Sequence, residues 1–272
     1  MRTNLTGVPE TMLWTLHNRA TESRRTDGVM KDPELERIYE AIDYDYERSF
    51  GAGQASHSIR SIMFDRYIRA FLDEHPNGVI VNLGEGLETQ RFRFADDDEA
   101  LWISVDVPEA IEVREKFIKP DDRHLHVGAS ALGEDWYDAV PEGRPVYITA
   151  QGLLMYFEEE QVHRHLVSVS ERFPGAGYAF DAIPHWMKRL SCRESGYNLT
   201  EHYTVPPCPW ALANFEAEQV LRSWAPTIES VTTDKYDRFP RGFANRYVFW
   251  WMSTLPGVRR MAPTVHRLRF KA

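Results

Sequence analysis

The stretch Val79-Ile80-Val81-Asn82-Leu83-Gly84-Glu85-Gly86 constrains the chain more than any other. A β-branched apolar run that stops at Gly-x-Gly and then turns amphipathic predicts a buried strand, a tight loop and a helix start. Glycine at 84 and 86 suits a backbone that turns sharply and closely approaches a ligand, although such a turn also occurs in ordinary loops. Downstream, Leu101-Trp102-Ile103-Ser104-Val105-Asp106 is a second apolar run. It ends in an acid about 20 residues after the glycines, where a carboxylate at a strand end can accept both ribose hydroxyls of an adenosine.

Two cofactor classes fit that pairing: dinucleotides and S-adenosyl-L-methionine. The dinucleotide fingerprint places a third small residue three positions after the second glycine. Thr89 stands there, but Glu88 precedes it. A carboxylate in the turn repels a pyrophosphate and tolerates or attracts a cationic sulfonium, so S-adenosyl-L-methionine is the better reading. A nicotinamide-dependent dehydrogenase stays as the alternative.

Strand and helix patterns alternate around this centre, which predicts an α/β fold with a doubly wound, mostly parallel sheet in one domain of 272 residues. Residues 1–75 read as a helical cap. One helix opens at Thr11, another at Asp32-Pro33, and a third carries Ile59, Met63, Tyr67, Ala70 and Phe71 on its inner face. Residues 76–183 form the cofactor-binding core, with a helix from Val107 to Lys119, a strand over His124–Val127, a strand over Pro145–Gly152, a helix from Glu158 and a strand over Tyr178–Ile183. His124 and His126 share a strand face, but no third ligand accompanies them and no metal is assigned. Residues 184–226 are irregular, rich in proline and aromatic residues, and read equally as a lid over a substrate or as a helical cap packed on the sheet. Residues 227–272 complete the sheet through Thr227–Val231 and Val265–Phe270, with a helix over 247–255 between them.

The formal charge of −9 argues against an electrostatic grip on nucleic acid. Cys192 and Cys208 read as separate thiols. With no apolar signal core and no apolar run long enough to span a bilayer, the expectation is a cytoplasmic protein without a membrane partner.

Four motifs, in order, carry a resemblance: Arg60-Ser61-Ile62-Met63-Phe64-Asp65; Val81 to Thr89 with Arg93; Val105-Asp106-Val107-Pro108-Glu109; and Gly152-Leu153-Leu154-Met155-Tyr156-Phe157. Together the sequence resembles the leucine carboxyl methyltransferase superfamily, and within it a bacterial branch of polyketide O-methyltransferases. The resemblance implies a class I methyltransferase fold, Rossmann-like, with seven strands of which the last is antiparallel. It also implies methyl transfer from S-adenosyl-L-methionine to a carboxylate or hydroxyl oxygen. By pattern alone Arg60 and Asp65 are solvated charges or a surface ion pair. The resemblance instead has Arg60 hold the methionine carboxylate. Gly84 and Gly86, with Glu85, would pass beneath the methionine, and Asp106, beside Val107, would take the ribose. Ser130 and Ala131 would lie at the adenine, and Gln151 and Gly152 near the amino group or sulfonium. Ser130 and Gln151 stand where the leucine carboxyl branch usually has acids.

A carboxylate acceptor needs no general base, whereas a phenol with a pKa of about 10 benefits from one. His57, His185 and His202 are the candidate bases, and the absence of a convincing one favours a carboxylate. The aromatic-rich lid suits a small, planar, apolar acceptor. Carboxyl methylation of a protein terminus and non-catalytic cofactor binding are the competing readings. The sequence leaves the oligomeric state open, a homodimer included.

Overall fold

The alternation of Val79, Val81 and Leu83 with Ile80 and Asn82 makes strand β1 (Val79–Leu83) buried along its whole length, with one set of side chains on each sheet face. In the computed structural model, which describes residues 7–94, 96, 99–236, 240, 241 and 262–272, β1 lies inside a seven-stranded sheet. It pairs in parallel with β2 (Leu101–Asp106) and β4 (Val146–Ala150). Outward from these lie β3 (His124–Gly128) and β5 (Gly177–Ala182), also parallel. The last strand in the chain, β9 (Thr264–Phe270), inserts antiparallel between β5 and β8 (Ile228–Lys235), giving the order β3-β2-β1-β4-β5-β9-β8.

Register fixes where chemistry can occur. Leu83 pairs with Val105 on one side and Ala150 on the other. Gly84, Asp106 and Gln151 therefore leave the sheet side by side, where the strand order reverses. In open α/β sheets that crevice is the ligand site.

The faces are covered differently. Val79, Val81, Leu83, Ile103 and Ile148 pack against Val162, Leu166 and Val169 of helix α6 (Glu159–Arg172). Ile80, Trp102 and Tyr147 pack against Ile59, Met63, Phe64, Ile68 and Leu72 of helix α4 (Ser56–Glu74). Of the residues expected on the inner face of α4, Ile59 and Met63 are buried, Tyr67 and Phe71 are partly covered, and Ala70 is exposed. The true stripe passes through Phe64, Ile68 and Leu72, one position round the helix.

Helices α1 (Thr11–Arg24), α2 (Pro33–Ala41) and α3 (Tyr46–Phe50) share a separate core containing Leu13, Leu16, Leu35, Ile38 and Phe50. Asp32 caps α2, its Oδ1 accepting the Leu35 N–H at 3.0 Å. Helix α5 (Pro108–Arg114) is shorter than the expected Val107–Lys119: Val107 is its cap, and a turn follows it.

Two expectations need correcting. No α-helix follows the glycine turn. One 3-10 turn, Gln90–Phe94, takes its place, because Gln90 and Arg93 both reach inward to Asp65. Nor is 184–226 irregular throughout. It contains α7 (His185–Ser191), a hairpin of β6 (Tyr197–Asn198) and β7 (Thr204–Val205), and α8 (Ala217–Trp224). Tyr203 and Val205 join the core of α1–α3, so apolar residues spaced along this stretch find partners far away in sequence. The helix expected over 247–255 lies outside the described residues. Both cysteines are free thiols, Cys192 exposed and Cys208 buried. Among the described residues no helix is long and apolar enough to cross a membrane.

Candidate cofactor site

Gly84 and Gly86 both adopt positive φ, 63° and 53°. At Gly86 a β-carbon would also stand 2.9 Å from the Met12 β-carbon of α1, so the glycine serves both turn and packing. The turn is tied down from two directions. Asp106, at the end of β2, accepts the Gly86 N–H on Oδ2 and the Val107 N–H on Oδ1, each at 2.8 Å. Burial raises the pKa of this carboxyl above the ordinary aspartate value, and the two backbone donors oppose the rise. From the other side, fully buried Arg114 donates through Nη1 to the carbonyls of Gly86 and Glu88, both at 2.8 Å, and its Nη2 lies 3.2 Å from Glu85 Oε2. His124 and His126, whose rings meet edge-on at 4.8 Å, pack beside that guanidinium, which depresses both below the usual histidine pKa together with the larger effect of burial.

Glu88 behaves differently from the expectation that its charge would face the cofactor. It is 5% exposed and lies in ion pairs with Arg19 of α1 and with Arg93, the latter at 3.0 Å. Burial alone would raise its pKa, but these two arginines hold it at about 2. Ser61 and Gln151 donate to its Oε2 at 3.1 and 3.2 Å. The carboxylate is thus ionised, and its charge is already balanced by protein.

Arg60 and Asp65 are not the solvated charges that pattern alone suggested. Asp65 is paired with Arg93 at 2.7 Å. Arg60 is 9% exposed, and its Nη1 donates to Asp181 Oδ2 at 3.1 Å. Its Nε is buried with no hydrogen-bond partner among the described residues.

These groups surround a cavity of about 230 Å³ at the carboxyl ends of β1, β2 and β4. Arg60, Gly84, Glu85, Gly86, Asp106, Val107, Ser130, Ala131, Gln151 and Gly152 all line it. His57, His185 and His202 do not. Asn18 explains His57: its Oδ1 accepts the Gln54 N–H at 2.9 Å, so its Nδ2 must donate to His57 Nδ1 at 2.7 Å. That network assigns the proton of His57 to Nε2, while burial and the charges of Arg60 and Arg19 hold its pKa well below the ordinary value. His57 is neutral, with its one basic nitrogen occupied. His185 is exposed and bound to Glu216 at 2.6 Å, and His202 is exposed. Glu88, singled out in the sequence for its charge, also lines the cavity; sequence reasoning missed one whole wall, formed by Val8, Pro9, Thr11, Met12, Thr15 and Arg19, and also Asn82 and Tyr156.

Residues 12–170 match the leucine carboxyl methyltransferase family. The chain belongs to that family. The tetracenomycin polyketide synthesis O-methyltransferase TcmP of Streptomyces glaucescens is 36% identical over 189 residues, covering 69% of this chain and 70% of TcmP. The S-adenosyl-L-methionine-dependent methyltransferase dpfgK of Gibberella zeae is 26% identical, covering 65% of each chain. A protein of Thermobifida fusca classed as a methyltransferase superposes with a TM-score of 0.53 at 16% identity, over 94% of both chains, a likeness of fold alone. As a member of this family the chain is a methyltransferase dependent on S-adenosyl-L-methionine.

Proposed function

We propose that the chain methylates an oxygen, in the first place a carboxylate, of a small aromatic or polyketide-type acceptor. The observation that supports this best is the composition of the cavity: a buried arginine whose Nε has no hydrogen-bond partner among the described residues, a positive-φ glycine turn and a strand-end aspartate, with no histidine among the lining residues. The donor set fits S-adenosyl-L-methionine. Arg60 would hold its carboxylate through charge-assisted bonds. Asp106 would accept the ribose hydroxyls on lone pairs that its two backbone donors leave free. Ser130 and Ala131 would flank the adenine, while Gln151 and Glu85 would stand near the amino group or sulfonium. When bound, the cofactor supplies an electrophilic methyl group on an excellent leaving group.

The protein's own work is then alignment and exclusion of water. A carboxylate acceptor arrives ionised, which suits a cavity whose nearby titratable hydroxyl, Tyr156, is pushed well above the ordinary tyrosine pKa chiefly by burial. Tyr156 stays protonated, able to donate a hydrogen bond and unable to act as a base. The kinship with TcmP supports a polyketide-type acceptor.

The test is transfer of a radiolabelled methyl group to a panel of aromatic polyketide acids and phenols. Label that is released by mild base is a methyl ester, the expected product; base-stable label is an ether and would move the acceptor to a hydroxyl. Label on peptides with a free C-terminal carboxylate, and none on the small acids, would replace this reading with protein methylation.

A further inference from the structure

Asp181, at the end of β5, was singled out by neither motif nor spacing, yet three groups converge on it. Its Oδ1 accepts the Gly152 N–H at 2.5 Å, and its Oδ2 accepts Arg60 Nη1 at 3.1 Å and the Tyr236 hydroxyl at 3.4 Å. It is 3% exposed. Gly152, with φ of 68°, closes the arrangement: a β-carbon there would stand 2.7 Å from Arg60 Nη1 and 2.8 Å from Nη2. The guanidinium therefore slides under a backbone that only glycine leaves open, and Asp181 grips both the arginine and that backbone.

The geometry points to Asp181 as the positioning residue that presents Arg60 to the cofactor carboxylate. By engaging Nη1, it turns the guanidinium so that Nε, on the edge it shares with Nη2, is left for a ligand. Nε is the buried donor that finds no partner among the described residues. That edge carries two parallel N–H groups and matches a carboxylate bidentately, whereas a guanidinium free to rotate would offer it only part of the time. Asp181 touches no cofactor atom itself; it acts through Arg60 and Gly152. The assignment rests on the proposed role of Arg60, so the two must be tested separately.

Two ligands do this: S-adenosylhomocysteine and 5′-methylthioadenosine, which keeps the adenosine and sulfur but lacks the amino acid. In Asp181→Asn a donor-bearing amide replaces one carboxylate oxygen, opposing either Arg60 or the Gly152 N–H. Affinity for S-adenosylhomocysteine should fall by about tenfold, while that for methylthioadenosine changes by less than about twofold. Added to Arg60→Met, the same substitution should cost nothing further. An equal loss for both ligands would make Asp181 merely structural and overturn the inference. If Arg60→Met removes the preference for S-adenosylhomocysteine and Asp181→Asn does not, the inference alone fails. If Arg60→Met leaves the preference intact, the role of Arg60 itself is wrong. Should Asp181→Asn not fold, Gly152→Ala displaces the same guanidinium and should show the same ligand-selective loss.

Discussion

At the scale of single residues, Glu88 is the position where pairing matters most. It sits among Arg19, Arg93, Ser61, Gln151 and the Thr89 N–H; its removal leaves buried Arg19 without an ion-pair partner among the described residues, while Arg93 keeps Asp32 and Asp65. Breaking a buried ion pair from one side costs about 3–5 kcal/mol, whereas an exposed pair such as Arg25 with Asp27 is screened by water and contributes little. Glu88→Ala should therefore lower the urea midpoint strongly while Asp27→Ala scarcely moves it; equal small shifts would mean that water already screens Glu88. The contrast marks what sequence can reveal about a residue. Gly84, Gly86 and Asp106 were legible because a turn and a strand end demand those types at those places. The partners of Glu88 were not, because Arg19 lies 69 positions away on an element whose docking no local pattern encodes. The same blindness turned Arg60 and Asp65 into surface charges.

Helix α1 poses the corresponding question for a whole element. Its apolar side, Leu13 and Leu16, faces α2 and α3, while Thr11, Met12, Thr15 and Arg19 face the cavity. A helix with one apolar stripe and one polar wall reads in sequence as an ordinary surface helix, and for that reason its part in the site was missed. The core strands were read more easily, since a fully buried parallel strand is a continuous apolar run and its end is marked by Gly or Asp. The regular elements within 184–226 escaped notice for a third reason: β6, β7 and α8 are short, and Tyr203 and Val205 find their partners in other parts of the chain. Because α1 forms a wall of the cavity, ligand binding should slow its local opening. Hydrogen exchange in the presence of S-adenosylhomocysteine is expected to slow across Met12–Arg19 as well as across Leu83–Glu88. Protection confined to the glycine turn would show that α1 does not close over the ligand.

For the molecule as a whole, stability against pH follows from histidines folded away uncharged. His165 bonds Tyr178 at 2.9 Å, and His266 lies between Thr233 and Thr264 at 3.0 Å from each. Burial holds both at a pKa of about 4, and burial with Arg114 holds His124 at about 2. A histidine depressed in this way binds fewer protons folded than unfolded. Stability is therefore complete above the unfolded value near 6.5 and is lost as pH falls below it, down to the folded value. Glu88 has a depressed carboxylate pKa of about 2, so its contribution persists to the unfolded value near 4.5 and is lost only below that. The two kinds of group thus fail in succession, histidines first. At pH 5.5 each of the three histidines should have cost about 1 kcal/mol relative to pH 7.5. Urea unfolding at the two pH values should show that loss, and His266→Gln, which removes one titrating ring while keeping polar contacts to the threonines, should reduce it by about 1 kcal/mol. An unchanged pH dependence in that variant would mean that His266 takes up its proton equally in both states, and that the acid sensitivity belongs to other groups.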